Sequence, residues 1–231
     1  MNYSLATNFV DKQDISTIFE LGSRDLIDGI FLLDHYTDSK CYSFECNPDC
    51  LIQCRKNFLS LSDSQKDSLV LVEKAVCLKD GEVSFYPFDL DKYPNMGASS
   101  MFKIDFSRHA SPKDQDFNRP NPQKEITVEG VRLDTFINTH NVGTVDLICM
   151  DLQGYELNAL KSMGDHLSNV QHIVTECQIK SVYVGGVGFW QLEEYLREFG
   201  FIYNCSDMWG TYSPPQQTED MCEFNALFSK R

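Results

Sequence analysis

Short apolar runs alternate along this chain with longer segments in which apolar residues recur every three or four positions. The first run, residues 15–21, predicts a strand, and residues 25–35 predict a helix because their apolar residues share one helical face. Asn47 and Pro48 mark the start of a second helix, since an N-cap residue followed by proline is a typical helix beginning. Further strands are predicted at residues 41–45, 69–77, 82–88, 126–131, 145–150, 170–176, 201–205 and 222–228, and further helices at 133–139, 155–163 and 189–199.

This alternation predicts an α/β fold: a Rossmann-like, mainly parallel seven-stranded sheet with helices on both faces. The last two strands follow each other without an intervening helix, so we expect the last strand to be antiparallel. No linker-like composition divides the chain, and we expect a single domain over residues 1–231. Residues 89–125 are rich in proline and polar residues and exceed a normal connection, which predicts a lid or a substrate-binding insertion.

Composition narrows the range of partners. The 231 residues include 20 Lys and Arg against 34 Asp and Glu, a formal charge of −14 that argues against general nucleic-acid binding. A small molecule or a sugar chain fits this charge better. No apolar stretch approaches the roughly 20 residues of a membrane span, and the N-terminus has no secretory pattern. The nine cysteines are an odd number and several lie in apolar runs, so we expect free thiols in a cytoplasmic protein.

In an open parallel sheet, ligands bind beyond the carboxyl ends of the strands, near the point where strand order reverses. The first predicted strand leads into Glu20 and Gly22, and the second ends at Glu45, whose carboxylate could accept hydrogen bonds from ribose hydroxyls. A glycine at such a turn lets a ligand approach the backbone. The next glycine is Gly29, so the spacing is not the G-x-G-x-x-G of dinucleotide sites, which disfavours a nicotinamide oxidoreductase.

Two further acids follow neighbouring strands in the second half of the chain. The strand at residues 145–150 delivers Asp151 to the ligand edge, and the next strand ends at Glu176. We expect the two carboxylates to be adjacent, so that they could share a divalent cation, a proton or a substrate hydroxyl. Gln153 and Gln178 lie close by in the sequence and could add an oxygen ligand to a cation.

Several segments in a fixed order carry a resemblance to a known family. Residues 131–164, VRLDTFINTHNVGTVDLICMDLQGYELNALKSMG, resemble the signature of the FkbM family of S-adenosylmethionine-dependent methyltransferases. TIFELGSRD and CYSFECNPD are similar to that family's cofactor motifs, GASSM at residues 97–101 resembles its short serine motif, and FWQLEEYLREFGF resembles its last helix and strand. The resemblance covers roughly residues 17–228.

The resemblance implies the class I methyltransferase fold and methylation of a hydroxyl, often on a sugar or polyketide, with S-adenosylmethionine as methyl donor. It implies that Glu45 holds the ribose and that Asp151 lies near the transferred methyl group. Other implied cofactor contacts are Glu20, Gly22, Ser23, Cys46, Ala75 and Val76, and we expect substrate contacts from Ser100, Gln153 and Gln178. The chain departs from the family pattern in having Glu20 for aspartate, Ser23-Arg24 for an Ala-Asn pair, and Gln153 for a frequent acid.

Removing the proton of a sugar hydroxyl needs a base or a cation, and two hypotheses follow. In one, Asp151 and Glu176 bind Mg²⁺ or a similar cation together with Gln153 or Gln178. In the other, one of these carboxylates or His109 acts directly as the base. Two other functions would share the fold: a methyltransferase-like binding module without activity, and an RNA ribose 2'-O-methyltransferase, which the net charge disfavours.

Overall fold

The computed structural model describes residues 3–91, 96–105, 123–211, 213, 215 and 223–230. In these residues the helices are Ser4–Phe9 (α1), Ile27–His35 (α2), Pro48–Leu59 (α3), Asp63–Ser68 (α4), Leu133–His140 (α5), Glu156–Ser162 (α6) and Phe189–Glu198 (α7). The strands are Thr17–Leu21 (β1), Lys40–Phe44 (β2), Leu69–Val72 (β3), Ala75–Val76 (β4), Gly81–Phe85 (β5), Ile126–Val131 (β6), Leu147–Met150 (β7), His172–Gln178 (β8), Phe201–Ser206 (β9), Gly210–Thr211 (β10) and Glu223–Lys230 (β11).

The larger sheet has the strand order β10-β9-β11-β8-β7-β1-β2-β3 in the described part of the chain. Strands β8, β7, β1, β2 and β3 are parallel to one another, whereas β11 is antiparallel to both β8 and β9. The two-residue strand β10 only extends the β9 edge. The predicted α/β sheet, with its antiparallel last strand, is therefore confirmed. The order reverses between β1 and β7, which places a ligand-binding crevice at their carboxyl ends.

A smaller sheet corrects the expectation of a single strand at residues 69–77. The apolar run at 69–77 does not form one strand, because β3 joins the larger sheet and β4 belongs to the smaller one. Strand β4 pairs in parallel with β6, and β5 pairs antiparallel with β6. The strand that completes this sheet comes much later in the chain, and a local apolar pattern cannot show such a pairing.

Alternation of side chains along the central strands divides the core into two faces. On one face, Phe19 and Phe44 pack edge-to-face against Phe136 of α5, beside α6 and α7. On the other face, Ile18 and Cys149 contact a layer formed by α1, α2 and α3. These two layers hold β1 and β7 in the middle of the domain, so their carboxyl ends form a fixed edge.

Local signals explain where helices begin. Helix α3 starts at Pro48 because the Asn47 side chain accepts a hydrogen bond at 3.1 Å from the backbone N–H two residues later. Helix α4 is absent from the prediction although Ser62 and Gln65 form a capping box, because its six residues carry no buried side chain. Helix α1, also absent from the prediction, packs in the same layer as α2 and α3.

Two further observations concern the environment of the chain. Within the described ranges, no helix combines the length and the apolar character that crossing a bilayer would need. The cysteines in these ranges are free thiols, and Cys50 and Cys54 are buried on the inner face of α3. In such positions a thiol packs as a small apolar group.

Candidate active site

The carboxyl ends of β1, β2 and β7 open into a cleft at the point where strand order reverses. Both polar and apolar side chains line it, which suits a small-molecule ligand. Strands β4 and β5 of the smaller sheet and residues 97–101 contribute to its wall. The cleft brings together most of the expected cofactor contacts, namely Gly22, Glu45, Cys46, Ala75, Val76 and Asp151.

The turn after β1 lies directly against the end of β7. Gly22 has a φ of +88°, and a Cβ atom at this position would lie 2.0 Å from the backbone oxygen of Asp151. Any side chain would push the two strand ends apart, so glycine is required here. The backbone N–H groups of Gly22 and Ser23 both donate to the carbonyl of Phe44 at 3.0 Å, which ties the turn to β2. Backbone contacts therefore fix the three strand ends to one another.

Three backbone N–H groups hold the Glu45 side chain in the cleft. Its carboxylate accepts hydrogen bonds from the N–H of Arg24 at 2.8 Å and from those of Cys46 and Asn47 at 2.7 Å each. Burial raises the pKa of Glu45, and the three N–H groups, which favour the charged form, oppose this rise. A carboxylate has about four acceptor positions, so roughly one is left for a ligand in the cleft.

An apolar wall comes from the smaller sheet. Ala75 and Val76 of β4 and Phe85 of β5 line the cleft together with Cys46 and Met101. Because β4 separates from β3, these side chains reach the cleft instead of continuing the larger sheet. Such a wall suits a planar aromatic ring.

A network of hydrogen bonds centred on Gln153 occupies the other half of the cleft. The Gln153 amide nitrogen donates to Asp151 Oδ1 at 2.7 Å and to Glu176 Oε2 at 2.8 Å. The amide oxygen accepts from the Tyr183 hydroxyl at 2.5 Å, and the backbone oxygen accepts from the Ser100 hydroxyl at 2.8 Å. The expected adjacency of Asp151 and Glu176 is confirmed, and Gln153 connects the two carboxyl groups.

Glu156 adds a third acid at this end of the sheet. Ligand oxygens of Asp151, Glu156 and Glu176 all lie within 4.8 Å of one another. One Glu156 oxygen accepts from the backbone N–H of Leu152 at 2.9 Å and from that of Gly154 at 3.2 Å. Burial raises the pKa of Glu156 to about 7, and the nearby charge of Asp151 adds to the rise.

Asp151 and Glu176 differ in their exposure to the cleft. Burial raises the pKa of both groups; the charge of Asp151 raises that of Glu176 further, whereas the Gln153 hydrogen bond lowers that of Asp151. Asp151 lines the cleft, while Glu176 lines a second, smaller cavity together with Glu156 and Gln178. The geometry therefore favours a charged Asp151 facing the cleft and a protonated Glu176 outside it.

Glu20 and Ser23, two of the expected cofactor contacts, are buried and are not among the residues that line the cleft. Side chains alternate along β1, and Glu20 faces α2, where it is fully buried. Neither its carboxyl oxygens nor the Ser23 hydroxyl form a hydrogen bond in the described part of the chain. Burial raises the pKa of Glu20 to about 8, against the opposing effect of the nearby Ser43 and Ser23 hydroxyls, so its carboxyl is largely protonated at neutral pH.

Two of the expected substrate contacts, Ser100 and Gln178, have side chains that already form hydrogen bonds within the protein. Ser100 is 1% exposed and its hydroxyl donates to the Gln153 backbone, so it fastens residues 97–105 to the cleft instead of facing a substrate. The Gln178 side chain donates to Glu223 at 2.8 Å and accepts from a loop N–H at 3.1 Å, which uses both ends of its amide. His109 lies outside the described residues.

The cleft also contains residues that the sequence did not single out. The Asn47 side-chain amide donates to the Ser99 hydroxyl at 3.3 Å, and both residues line the cleft. Asn47 could have been found, because it follows Glu45 by two residues and caps the next helix. Ser99 and Met101 lie in the GASSM segment that carries part of the family resemblance. Phe85 could not have been found, since the pairing that carries it to the cleft is not local in the sequence.

Known proteins and a known protein family are similar to this chain. The Methyltransferase FkbM domain family matches residues 28–203. The 2-O-methyltransferase NoeI of Sinorhizobium fredii is 25% identical over 199 residues, which cover 84% of this chain and 76% of that protein. A match of this length includes both Glu45 and Asp151.

Solved structures share the fold. Methyltransferase FkbM from Methylobacillus flagellatus superposes with a TM-score of 0.53 and 12% identity over 94% of this chain, which spans only 44% of that chain. An uncharacterised protein from Listeria monocytogenes serotype 4b gives a TM-score of 0.50 at 11% identity, over 99% of this chain and 66% of that one. The predicted class I methyltransferase fold is confirmed. Since the family match covers most of the sequence, this chain belongs to the FkbM methyltransferase domain family.

Proposed function

We propose that this protein is an S-adenosylmethionine-dependent O-methyltransferase that acts on a hydroxyl of a sugar or glycan. The observation that carries the proposal is that Asp151 lies in the same cleft as Glu45 and an apolar wall. A methyl donor and a base for an acceptor hydroxyl could therefore meet in one place. Membership in a methyltransferase domain family supports the transfer of a methyl group.

The cleft residues fit the three parts of S-adenosylmethionine. The acceptor position left on Glu45 suits a ribose hydroxyl, and the wall that includes Ala75 and Phe85 suits the adenine ring. Arg24 and Asp28 also line the cleft, and their opposite charges suit the carboxylate and the ammonium group of the methionine part. Both residues lie in or after the turn that follows β1.

Methyl transfer to a hydroxyl requires alignment of the acceptor and removal of its proton. S-adenosylmethionine would supply a methyl carbon that moves from the sulfonium sulfur to the acceptor oxygen, while the electron pair of the broken C–S bond stays on sulfur. Asp151 would take the hydroxyl proton as the C–O bond forms. Glu176, which keeps its proton because of burial and the neighbouring charge, would stay neutral beside it.

A divalent cation is the alternative to direct proton removal. The clustered oxygens of Asp151, Glu156 and Glu176 are of the type that Mg²⁺ prefers. Two observations argue against a bound cation. The side-chain amide of Gln153 donates to two of these acids, and Glu156 already accepts backbone hydrogen bonds. These contacts favour Asp151 acting directly as the base, with Mg²⁺ as the second candidate.

Charge and relatedness support a sugar acceptor. Among the described residues that line the cleft, the acids Asp28, Glu45 and Asp151 outnumber the cations Arg24 and Lys74, so the lining is not the basic groove that an RNA backbone needs. The relative NoeI is named as a 2-O-methyltransferase, which also fits transfer to a hydroxyl. We therefore favour a small sugar or glycan over RNA ribose.

Calorimetry and a transfer assay test the proposal. Calorimetry with S-adenosylhomocysteine is expected to show one site per chain. Transfer of a labelled methyl group is then followed over deoxysugars, glycosides and a structured RNA, with either EDTA or magnesium chloride present. We expect transfer to at least one sugar, unaffected by EDTA.

The other outcomes separate the alternatives. Activity that EDTA abolishes and magnesium restores would favour the metal mechanism. Methylation of the RNA and of none of the sugars would show that the acceptor is RNA. Cofactor binding without transfer to any acceptor would indicate a binding module. A folded protein that does not bind S-adenosylhomocysteine would contradict the proposal.

A further inference from the structure

Gln153 bridges two carboxyl groups through a single nitrogen atom. Its amide carries two hydrogens, and the structure directs one toward Asp151 Oδ1 at 2.7 Å and the other toward Glu176 Oε2 at 2.8 Å. In many carboxylate sites a cation bridges such a pair. Here a neutral donor, the Gln153 amide, occupies that position.

Tyr183 determines which way the Gln153 amide faces. Its hydroxyl donates to Gln153 Oε1 at 2.5 Å and lies 3.4 Å from the carbonyl oxygen of Ala98. Together with the acceptor oxygens of the two acids on the other side, this contact directs the amide nitrogen toward Asp151 and Glu176. Tyr183 is buried, and its ring lies over Gly154, where a Cβ atom would come within 2.7 Å of a ring carbon. Burial raises the pKa of the Tyr183 hydroxyl, so the hydroxyl keeps its proton.

The backbone at Gln153 is fixed as well. Gln153 has a φ of +53°, a left-handed conformation that is unfavourable for a residue other than glycine. The Ser100 hydroxyl holds the Gln153 carbonyl at 2.8 Å. Every polar group of the Gln153 side chain therefore has a partner, and the side chain cannot turn without breaking at least two hydrogen bonds.

We propose that Gln153, oriented by Tyr183, is a positioning residue that takes the place of a divalent cation between Asp151 and Glu176 and holds Asp151 toward the cleft. The inference rests on the proposed function, because it assigns a role within the same acceptor site. It has a direct consequence: an acid at position 153 would remove the donor, add a carboxylate, and convert the cluster into a cation site.

Manganese titration tests this consequence. Free Mn²⁺ is measured by electron paramagnetic resonance with the wild-type chain, Q153E and the double variant Q153E/E176Q. We expect Q153E to bind Mn²⁺ about 10–100-fold more tightly than the wild type, and the double variant to lose this gain. A wild type that binds Mn²⁺ as tightly as Q153E, or a Q153E that gains no affinity, would overturn the proposal.

A second measurement does not depend on Q153E being folded. In the ¹⁵N-labelled wild type, we expect both side-chain amide protons of Gln153 to be protected from exchange with solvent. Y183F keeps the ring on Gly154 but removes the hydroxyl, so both protons should exchange faster. Unprotected protons in the wild type, or equal protection in Y183F, would contradict the assigned role of Tyr183.

Titration of each protein with S-adenosylhomocysteine separates this inference from the proposed function. If Q153E binds S-adenosylhomocysteine as tightly as the wild type but gains no affinity for Mn²⁺, the positioning role of Gln153 is overturned and the proposed function is not. A wild-type chain that does not bind the nucleoside overturns the proposed function, whichever result the Mn²⁺ titration gives.

Discussion

The two carboxylates that face the cleft, Glu45 and Asp151, are held in different ways. Glu45 accepts three backbone N–H groups, at 2.7 to 2.8 Å. Asp151 depends on one side-chain amide that it shares with Glu176, in a cluster of three acids. Backbone donors are fixed by the fold, whereas a side-chain network can rearrange. Under the proposed function, the Glu45 side of the cleft would bind the cofactor and the Asp151 side would accept the proton; we call them the binding half and the chemical half.

The largest expected effect comes from breaking the chemical half. D151N keeps the size of the side chain but cannot take up a proton, so kcat should fall by about 10²–10⁴-fold. Affinity for S-adenosylhomocysteine should stay at the wild-type value, because the binding half is untouched. Methyl transfer and calorimetry measure the two quantities. E73Q, which alters an exposed acid paired with Arg55, serves as control; a D151N enzyme as active as E73Q would remove Asp151 from the reaction.

The pH dependence of stability tests whether the buried Glu20 carboxyl, below the binding half, is protonated in the folded chain. Its pKa is about 8 in the folded chain against an ordinary value of 4.5, so the folded state binds this proton more tightly than the unfolded state. Stability is therefore lost as pH rises from about 4.5 to about 8. Between pH 5 and pH 8 the wild type should lose roughly 3 kcal/mol more stability than E20Q. Urea unfolding of both proteins at both pH values measures this, and parallel losses would show that Glu20 is charged when folded.

Removal of the Glu45 carboxylate tests the binding half directly. E45A should weaken S-adenosylhomocysteine about 100-fold, equivalent to roughly 2.7 kcal/mol, because a ligand contact is lost and three backbone N–H groups lose their acceptor. E176A is the matched control, since Glu176 does not line the cleft. Calorimetry should show unchanged affinity in E176A. Equal losses in both variants would mean that the two halves are not separate in function.

The smallest expected effect comes from the cap of α3. N47A should lower the free energy of unfolding by about 1 kcal/mol, because the helix loses its N-cap. It should also weaken nucleoside binding, though less than E45A, since Asn47 lines the cleft. S62A removes the cap of α4, away from the cleft, and should cost similar stability without changing affinity. Chemical denaturation and calorimetry distinguish a cleft effect from a stability effect.

The sequence predicted the parts of the molecule that depend on local patterns. The sheet, the position of Glu45 after β2 and the adjacency of Asp151 and Glu176 follow from apolar runs and strand ends. The separation of β3 from β4 did not, because β4 pairs with β6, which lies much later in the chain. The burial of Glu20 could have been inferred from alternation along β1, which turns it toward α2.

The hydrogen bonds of Gln153 show more clearly what could not be predicted from the sequence. Position 153 was recognisable as a departure from an acid, and its place after β7 was predicted. Its bond to Tyr183 depends on how the loop after β8 packs on Gly154, and no sequence spacing encodes that contact. The sequence therefore identifies which acids meet, while the structure shows which side chain connects them.

A crystal structure of the chain with bound S-adenosylhomocysteine tests the central claim most directly. The account predicts that a ribose hydroxyl lies within hydrogen-bond distance of Glu45, that the adenine contacts Ala75 and Val76, and that the sulfur faces Asp151. A nucleoside bound outside this cleft, or bound in it with the sulfur directed away from Asp151, would contradict the account.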